Sequence, residues 1–531
     1  VTTPSFRAPA EDFGVLSRPA LADWPSLAQK NYQLLNQKDL AIGTTPLAEL
    51  RLQARADFLR TSARWLGKPE AEIDLQNSVE KIWIMTGHQP ELYHPGVWAK
   101  NFAVAAVAQK IGASGLNLVA DTDQLKSCEI KVPSGAPENL VVRKLAFDDV
   151  ADGRPYEAWN VHNSNLFQGF GNQLLDTLSS HITNPLAAQL WPQVASVNDT
   201  SGSRKISLAR HLIEENLGFG LIESPMSLWA ETPAVQHIFC TILADIPAFH
   251  ALHSAHLKAY RKLHGIKSRN HPVADLEEVD GWWESPLWVW RDSSPVRKSL
   301  WVRICPAGSG VELRIEGESD SLCCLAIKPG YSTSEGCQQL ERLSGEGVRI
   351  RPRALVTTAL CRTLLADLFV HGIGGAIYDE LGDDIFGDFF RMRMPQYAVM
   401  SATLRLCDLP PPAASKNLEE AHRTLRRILW KAETLTEHSA EVAALLNHKK
   451  ELLLTHPQDR LAHRRRAVAL RQVNRQIAAC YKDRENQVLQ EINRLRQEAV
   501  HEASVRSREY SIVVHSYDRL GELAKIIRQM A

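Results

Sequence analysis

Four things are missing from this 531-residue chain, and each absence removes a class of explanation. It has no net charge, because Lys+Arg and Asp+Glu both total 61. That balance disfavours a globally basic nucleic-acid binder. It has no CxxC pair among its nine cysteines: Cys128, Cys240, Cys361, Cys407 and Cys480 are isolated, while Cys305, Cys323, Cys324 and Cys337 gather only loosely. The thiols therefore read as small buried hydrophobes in a reducing compartment, and no metal site is expected from them. No run reaches the roughly 20 apolar residues that span a bilayer, so no membrane partner is expected. Residues 1–13 lack the basic start and apolar run of a signal peptide. The expectation is a soluble, cytoplasmic protein.

What is present is ordinary for a folded chain, 44% hydrophobic and 23% charged, but it is too long for a single core, so several units are expected. Residues 1–78 read as an N-terminal helical segment, with apolar helix spacing over 47–66 and a Gly67-Lys68-Pro69 stop. Lys81-Ile82-Trp83-Ile84-Met85 then reads as a buried strand, residues 97–111 as a buried helix, and Leu116-Asn117-Leu118-Val119-Ala120 as a second strand. This βαβ pattern predicts two parallel strands and places the first half of an α/β core in 79–150. Residues 151–347 read as an insertion, first helical (207–216 and 235–257), then antiparallel β around Trp282, Trp283, Trp288, Trp290 and Trp301. The tryptophans suit a packed sheet better than a base-stacking platform. Residues 348–408 return to βα texture as the second half of the core, with strands at 348–350, 367–370 and 396–403, and Leu409-Pro410-Pro411-Pro412 ends it. From 409 to 531 a helical tail follows. Leu418, Ala421, Leu425, Ile428, Ala432 and Leu435 form an a/d seam, and Leu470, Val473, Ile477 and Cys480 a second. With His456-Pro457 between them, an antiparallel hairpin of two long helices is the expectation. From residue 411 the chain holds 22 Lys+Arg against 15 Asp+Glu, a surplus of 7 read as a solvated face.

Three loops carry the chemistry. Residues 86–100 run from the first core strand into a helix, the position where open α/β sheets place ligands. Thr86, Gly87, Gln89 and Gly96 would shape that loop, His88 and His94 could donate to an anion, and Lys100 adds charge one turn into the helix. Asp121-Thr122-Asp123 ends the second strand. Its carboxylates could hold an amine, a hydroxyl pair or Mg²⁺, act as a base, or simply cap a turn. In the third, His371, Gly372, Gly374 and Gly375 lie between a strand and a helix that includes Tyr378, and suit backbone contacts to an anion. Upstream, Arg351 and Arg353 offer guanidiniums for a carboxylate or phosphate.

Taken in order, these residues resemble the bacillithiol biosynthesis cysteine-adding enzyme family. That family has a TGQQ-type loop after its first core strand, where Thr86-Gly87-His88-Gln89 stands here, with Lys100 matching a lysine in the next helix. Asp121-Thr122-Asp123 matches its EDHD-type motif in part, with Ala120 and Thr122 in place of Glu and His. Arg353, Thr357-Thr358 and residues 372–378 follow the order of its Arg-Pro element, helix and GGP-type loop, so the resemblance spans about 80–435. It implies an α/β fold: a Rossmann-like, nucleotidylyltransferase-type parallel-sheet core split by a helical and β insertion, with a C-terminal coiled coil that makes a homodimer. The implied activity is ligation of cysteine, through its carboxyl group, to the amine of glucosaminyl malate. His88 and His94 would then stabilise negative charge, Lys100 and Arg353 anchor anionic groups, and Asp121 and Asp123 orient the amine or act as base. Two other readings stay open: a nucleotidylyltransferase-like enzyme using ATP or ADP with Mg²⁺, and a non-catalytic dimeric binding protein.

Overall fold

The computed structural model describes residues 6–69, 78–135, 141–149, 152–178, 182–406, 414–431, 434–435 and 438–531. The chain forms two compact units: Val1–Val132, Arg143–Leu406 and Arg508–Ala531 make the first, and Pro133–Val142 with Cys407–Ser507 the second. Along the first unit run β1 (Gly14–Arg18), β2 (Trp83–His88), β3 (Ser114–Val119), β4 (Ile222–Pro225), β5 (Trp282–Arg291), β6 (Ser294–Ile304), β7 (Val311–Ile315), β8 (Cys323–Leu325), β9 (Val348–Pro352), β10 (Leu368–His371) and β11 (Ala398–Thr403).

Six of these strands form a mixed sheet in the order β1-β11-β10-β2-β3-β4. All neighbours are parallel except β1, which runs antiparallel to β11 at the edge. Both faces are covered, so the central strands read as continuous apolar runs rather than alternating ones. Trp83 and Met85 point into one core shared with the helix Leu47–Leu66 and with β5 and β6. Ile84, Leu368, Val370 and Met400 point into the other, beneath the helix Pro95–Ile111. That helix is apolar on several sides because it is buried on several sides. Pro95 starts it, where the missing N–H is harmless, and Gly112 at φ 66° ends it. β5 to β9 form a second, fully antiparallel sheet in the order β8-β7-β6-β5-β9.

Four parts of the sequence reading need correction. Residues 1–78 are not wholly helical, because β1 supplies an edge strand, short and only half-buried, which carries little apolar signal. Ile222–Pro225 belongs to the parallel sheet although it lies within the expected insertion. Its Glu223 and Ser224 hide the strand, and both are fully buried, paired to Arg210 and Thr61. The strand at 348–352 pairs antiparallel with β5 and so is part of the tryptophan-rich sheet. Among the described residues of 414–505 the tail forms four helices, Ala414–Trp430, Ala440–Leu454, Arg460–Cys480 and Lys482–Val505, rather than two long ones. Ser439 and Asp459 accept from the backbone N–H groups of Val442 and Ala462 and start new helices. Within this second unit the first helix packs on the fourth and the second on the third, around a small core of Val442, Val473 and Ile477. The chain then returns to the first unit, where Tyr517–Met530 packs on Pro95–Ile111. The triple proline and Ala432 lie outside the described residues.

Among the described residues no single helix is long and apolar enough to cross a membrane. The adjoining helices Pro233–Ala244 and Ile246–Leu263 meet at 83°, and their Ile238, Phe239, Ile242 and Phe249 are buried in the shared core.

Candidate functional site at the strand ends

Numbered in chain order, the five parallel strands stand in space as 3-2-1-4-5, so the order reverses between β2 and β10. Ligands of open α/β sheets bind outside the carboxyl ends of the strands at such a reversal. The register sets His88 level with Val119, and Val370 level with Thr86. The loops after β3, β2 and β10 therefore leave one sheet edge within two strand spacings, about 10 Å.

The loops after β2 and β3 are joined directly. Gln89 Nε2 donates to Asp123 Oδ2 at 2.7 Å, and Arg297 Nη1, from β6, reaches Asp123 Oδ1 at 2.8 Å. Although burial raises it, the Asp123 carboxyl stays below its usual range because Gln89 and Arg297 hold the anion. Asp121 is the opposite case. Burial, reinforced by the nearby Glu157 carboxylate, pushes it up to about 7, even though the Ser227 N–H and Oγ both donate to it. One pair of neighbouring carboxyls thus holds one firm anion and one group that changes charge near neutrality, as acid–base work requires. Beside them Arg351 grips both oxygens of Glu157 at 2.9 Å and reaches Glu231 at 2.7 Å. Tyr156 Oη donates to Glu91 at 2.7 Å.

His88, His94 and Lys100 are brought to this edge but are occupied. His88 Nδ1 meets the Gln89 carbonyl at 3.1 Å and Nε2 meets Asn101 Oδ1 at 3.2 Å, while Tyr93 packs edge-on against the ring. Burial, then Lys100 and Arg210, push its pKa well down, and its contacts make it a strut for the loop. His94 caps its helix, with Nδ1 accepting from the Gly96 N–H at 3.1 Å, and burial and the nearby Arg508 bring it to about 4. Lys100 is 4% exposed, donates to the Gly87 carbonyl at 2.8 Å, and is brought by burial to about 7. It fixes loop geometry rather than facing a ligand. Gly96 must be glycine: a Cβ there would stand 2.2 Å from Arg508 Nη2 and 2.5 Å from the Ala402 carbonyl oxygen. Thr86 Oγ1 donates to the Val370 carbonyl at 2.9 Å and ties β2 to β10.

The third loop starts a helix of its own, Ile373–Phe390, with Gly372 as N-cap and Gly374 and Gly375 in the first turn. His371 ends β10 beside it, and Tyr378, one turn on, is half-buried. Arg353 is placed differently. It lies against the antiparallel sheet, 2.6 Å from Glu284 Oε1 and with its guanidinium 4.0 Å from the centre of Trp288. Arg297 stacks on the same ring at 5.0 Å.

Asp123 is already committed to Gln89 and Arg297, and Asp121 to Ser227. His211, Glu214 and Glu223 bring ligand atoms within 4.8 Å of one another in the interior. There, however, Arg210 donates to both carboxylates, and Trp98 and Asn101 donate to Glu214. Of the loose cysteine group, Cys305 lies 3.5 Å from Cys324 between sulfurs, Cys337 lies 4.0 Å from Cys240, which is outside the group, and Cys323 is in neither pair.

Sequence reasoning missed Arg297, Glu157, Ser227 and Arg508, which reach the site from distant elements and carry no local signal. Glu91 was in plain view inside the first loop, two residues after Gln89. A scan of protein-family models finds no match for the chain, and a search of curated proteins finds none.

Proposed function

We propose that the protein is a small-molecule enzyme with a Rossmann-like core, working in the crevice between the loops after β2, β3 and β10. We further propose that it is a ligase of the cysteine-adding type. It would join cysteine, or another small carboxylate, to the amine of an amino-sugar conjugate such as glucosaminyl malate. In that condensation a carbon–nitrogen bond forms, a carboxyl carbon–oxygen bond breaks, and that oxygen leaves as water with the two protons that the ammonium gives up. The carrying observation is the joined pair of loops: Asp123, held as an anion by Gln89 and Arg297, beside Asp121, which changes charge near neutrality. Asp123 would hold the substrate ammonium and Asp121 take its proton. His88, His94 and Lys100 would fix the loop, and the glycine-rich helix start beyond β10 would receive the anionic group.

A nucleotidyl-transfer reading draws on a specific observation as well: a 3-2-1-4-5 strand order whose reversal faces a glycine-rich helix start. Thermal-shift measurements with cysteine, glucosaminyl malate, and ATP with Mg²⁺ separate the two. A stabilising shift with the amino sugar, absent in Asp123→Ala, supports the ligase. A shift with ATP and Mg²⁺ alone supports nucleotidyl transfer, and no shift with any of them rejects both.

A further inference from the structure

The helix Arg460–Cys480 of the second unit is set apart by its charge. Its sequence holds Arg460, Arg464, Arg465, Arg466, Arg471 and Arg475 and no Asp or Glu. The other three helices of that unit each carry acidic residues. Arg466 is half-buried and donates to the Leu453 carbonyl. The other five arginines are exposed, and among the described residues none of them has an ion-pair or hydrogen-bond partner. By contrast Arg494, on the next helix, is met by Glu491 and Glu498.

Four of these arginines form a row. At about 100° per residue, Arg460, Arg464, Arg471 and Arg475 fall within about 60° of one another around the helix. At 1.5 Å of rise per residue the row is about 22 Å long. Val473 and Ile477 lie on the far side and pack with Val442, which turns the row to solvent. Arg465 stands about 110° round from the row. The helix has no aromatic residue, so it offers single-stranded bases nothing to stack on. Its exposed large apolar residues are Leu461 and Val468, too few for the continuous apolar face with which a helix enters a membrane surface. What it presents is a rigid line of guanidiniums, the group that meets phosphate oxygens bidentately.

We propose that this helix binds duplex DNA through its phosphates, without regard to sequence. A helix about 10–12 Å across fits the roughly 12 Å major groove of B-form DNA, whereas the deep, narrow major groove of A-form RNA excludes it. The row then faces roughly six phosphates of one strand, at one per 3.4 Å of duplex axis, and Arg465 faces the other strand. The zero net charge of the chain excludes a globally basic binder but leaves room for this local surface. The surface lies in the second unit and is independent of the condensation proposed above.

The test is fluorescence anisotropy of the full chain with a labelled DNA duplex of about 20 base pairs, titrated at several salt concentrations. With five arginines on phosphates, log K should fall against log salt with a slope of about −4.5. Replacing Arg460, Arg464, Arg471 and Arg475 together by Gln should remove about 3.6 of that slope and weaken binding at least about tenfold. Gln and Arg have similar helix propensity, so the melting temperature should not change. Arg494→Gln, whose charge two glutamates already meet, should leave slope and affinity as they are. No binding at about 50 mM salt, or a slope unchanged in the fourfold variant, would overturn the proposal. So would an RNA duplex of the same length, polyglutamate, or phosphatidylserine vesicles bound as tightly as the DNA.

Discussion

Asp121 should cost the native protein stability at working pH, and removing its charge should return that stability while abolishing function. The carboxyl is 2% exposed and its pKa is raised from 3.8 to about 7, first by burial and then by Glu157. Below pH 3.8 the folded and unfolded chains both hold the proton, and the group makes no difference. As pH rises toward 7 the unfolded chain releases the proton and the folded one does not, so stability falls across that window. Above 7 the full cost is present, with a ceiling of about 4 kcal/mol from three pKa units. Asp121→Asn keeps the shape and an acceptor for Ser227 but carries no charge. The first unit has roughly 400 residues, which at about 2.1 cal/mol/K each gives an unfolding entropy near 0.9 kcal/mol/K. The variant should therefore melt up to about 4 °C higher than the parent at pH 8 and within about 1 °C of it at pH 4. Calorimetric scans of both proteins at the two pH values decide it. A variant that melts lower by the same amount at pH 4 and pH 8 would refute the reasoning and make Asp121 a structural acceptor for Ser227.

Lys100 gives the mirror image. Burial lowers its pKa from 10.5 to about 7, so the native protein loses stability as pH falls from 10.5 through 7. Lys100→Met should raise the melting temperature more at pH 6 than at pH 10, and a pH-independent shift would contradict this. Asp367 is fully buried between Arg51 at 2.6 Å and Arg55 at 2.8 Å. Asp367→Ala strands two buried guanidiniums and should destabilise by about 3 to 5 kcal/mol in chemical denaturation. Gly96→Ala collides with a backbone carbonyl as well as Arg508 and should cost about 1 to 3 kcal/mol in the same measurement.

The parts of the fold legible in the sequence were those buried on both faces by apolar side chains. Trp83-Ile84-Met85 and Leu116 to Val119 announce themselves because nothing polar interrupts the run except Asn117. Ile222–Pro225 lies at the edge of the same sheet but carries Glu223 and Ser224, whose burial is possible only because Arg210, His211 and Thr61 meet them from elsewhere. The strand at 348–352 was legible as a strand but not as to its sheet, since its local pattern does not encode a partner 60 residues earlier. In the site, the glycine-bearing loops marked the right edge because glycine and strand ends are local properties. Gln89 was visible and its bond to Asp123 was not, and Arg297 and Arg508 arrive from distant elements. The occupied states of His88, His94 and Lys100 could not be read at all, because burial and neighbouring charges are set by tertiary packing.

The central claim is that the joined loops after β2 and β3 carry out a condensation. The most direct test is mass spectrometry of reactions containing the full chain, cysteine and glucosaminyl malate, with and without ATP and Mg²⁺. The account predicts an amide product equal to the sum of the two substrates less one water, formed by the parent protein and lost in Asp121→Asn. No product under either condition, or equal product from Asp121→Asn, would contradict it.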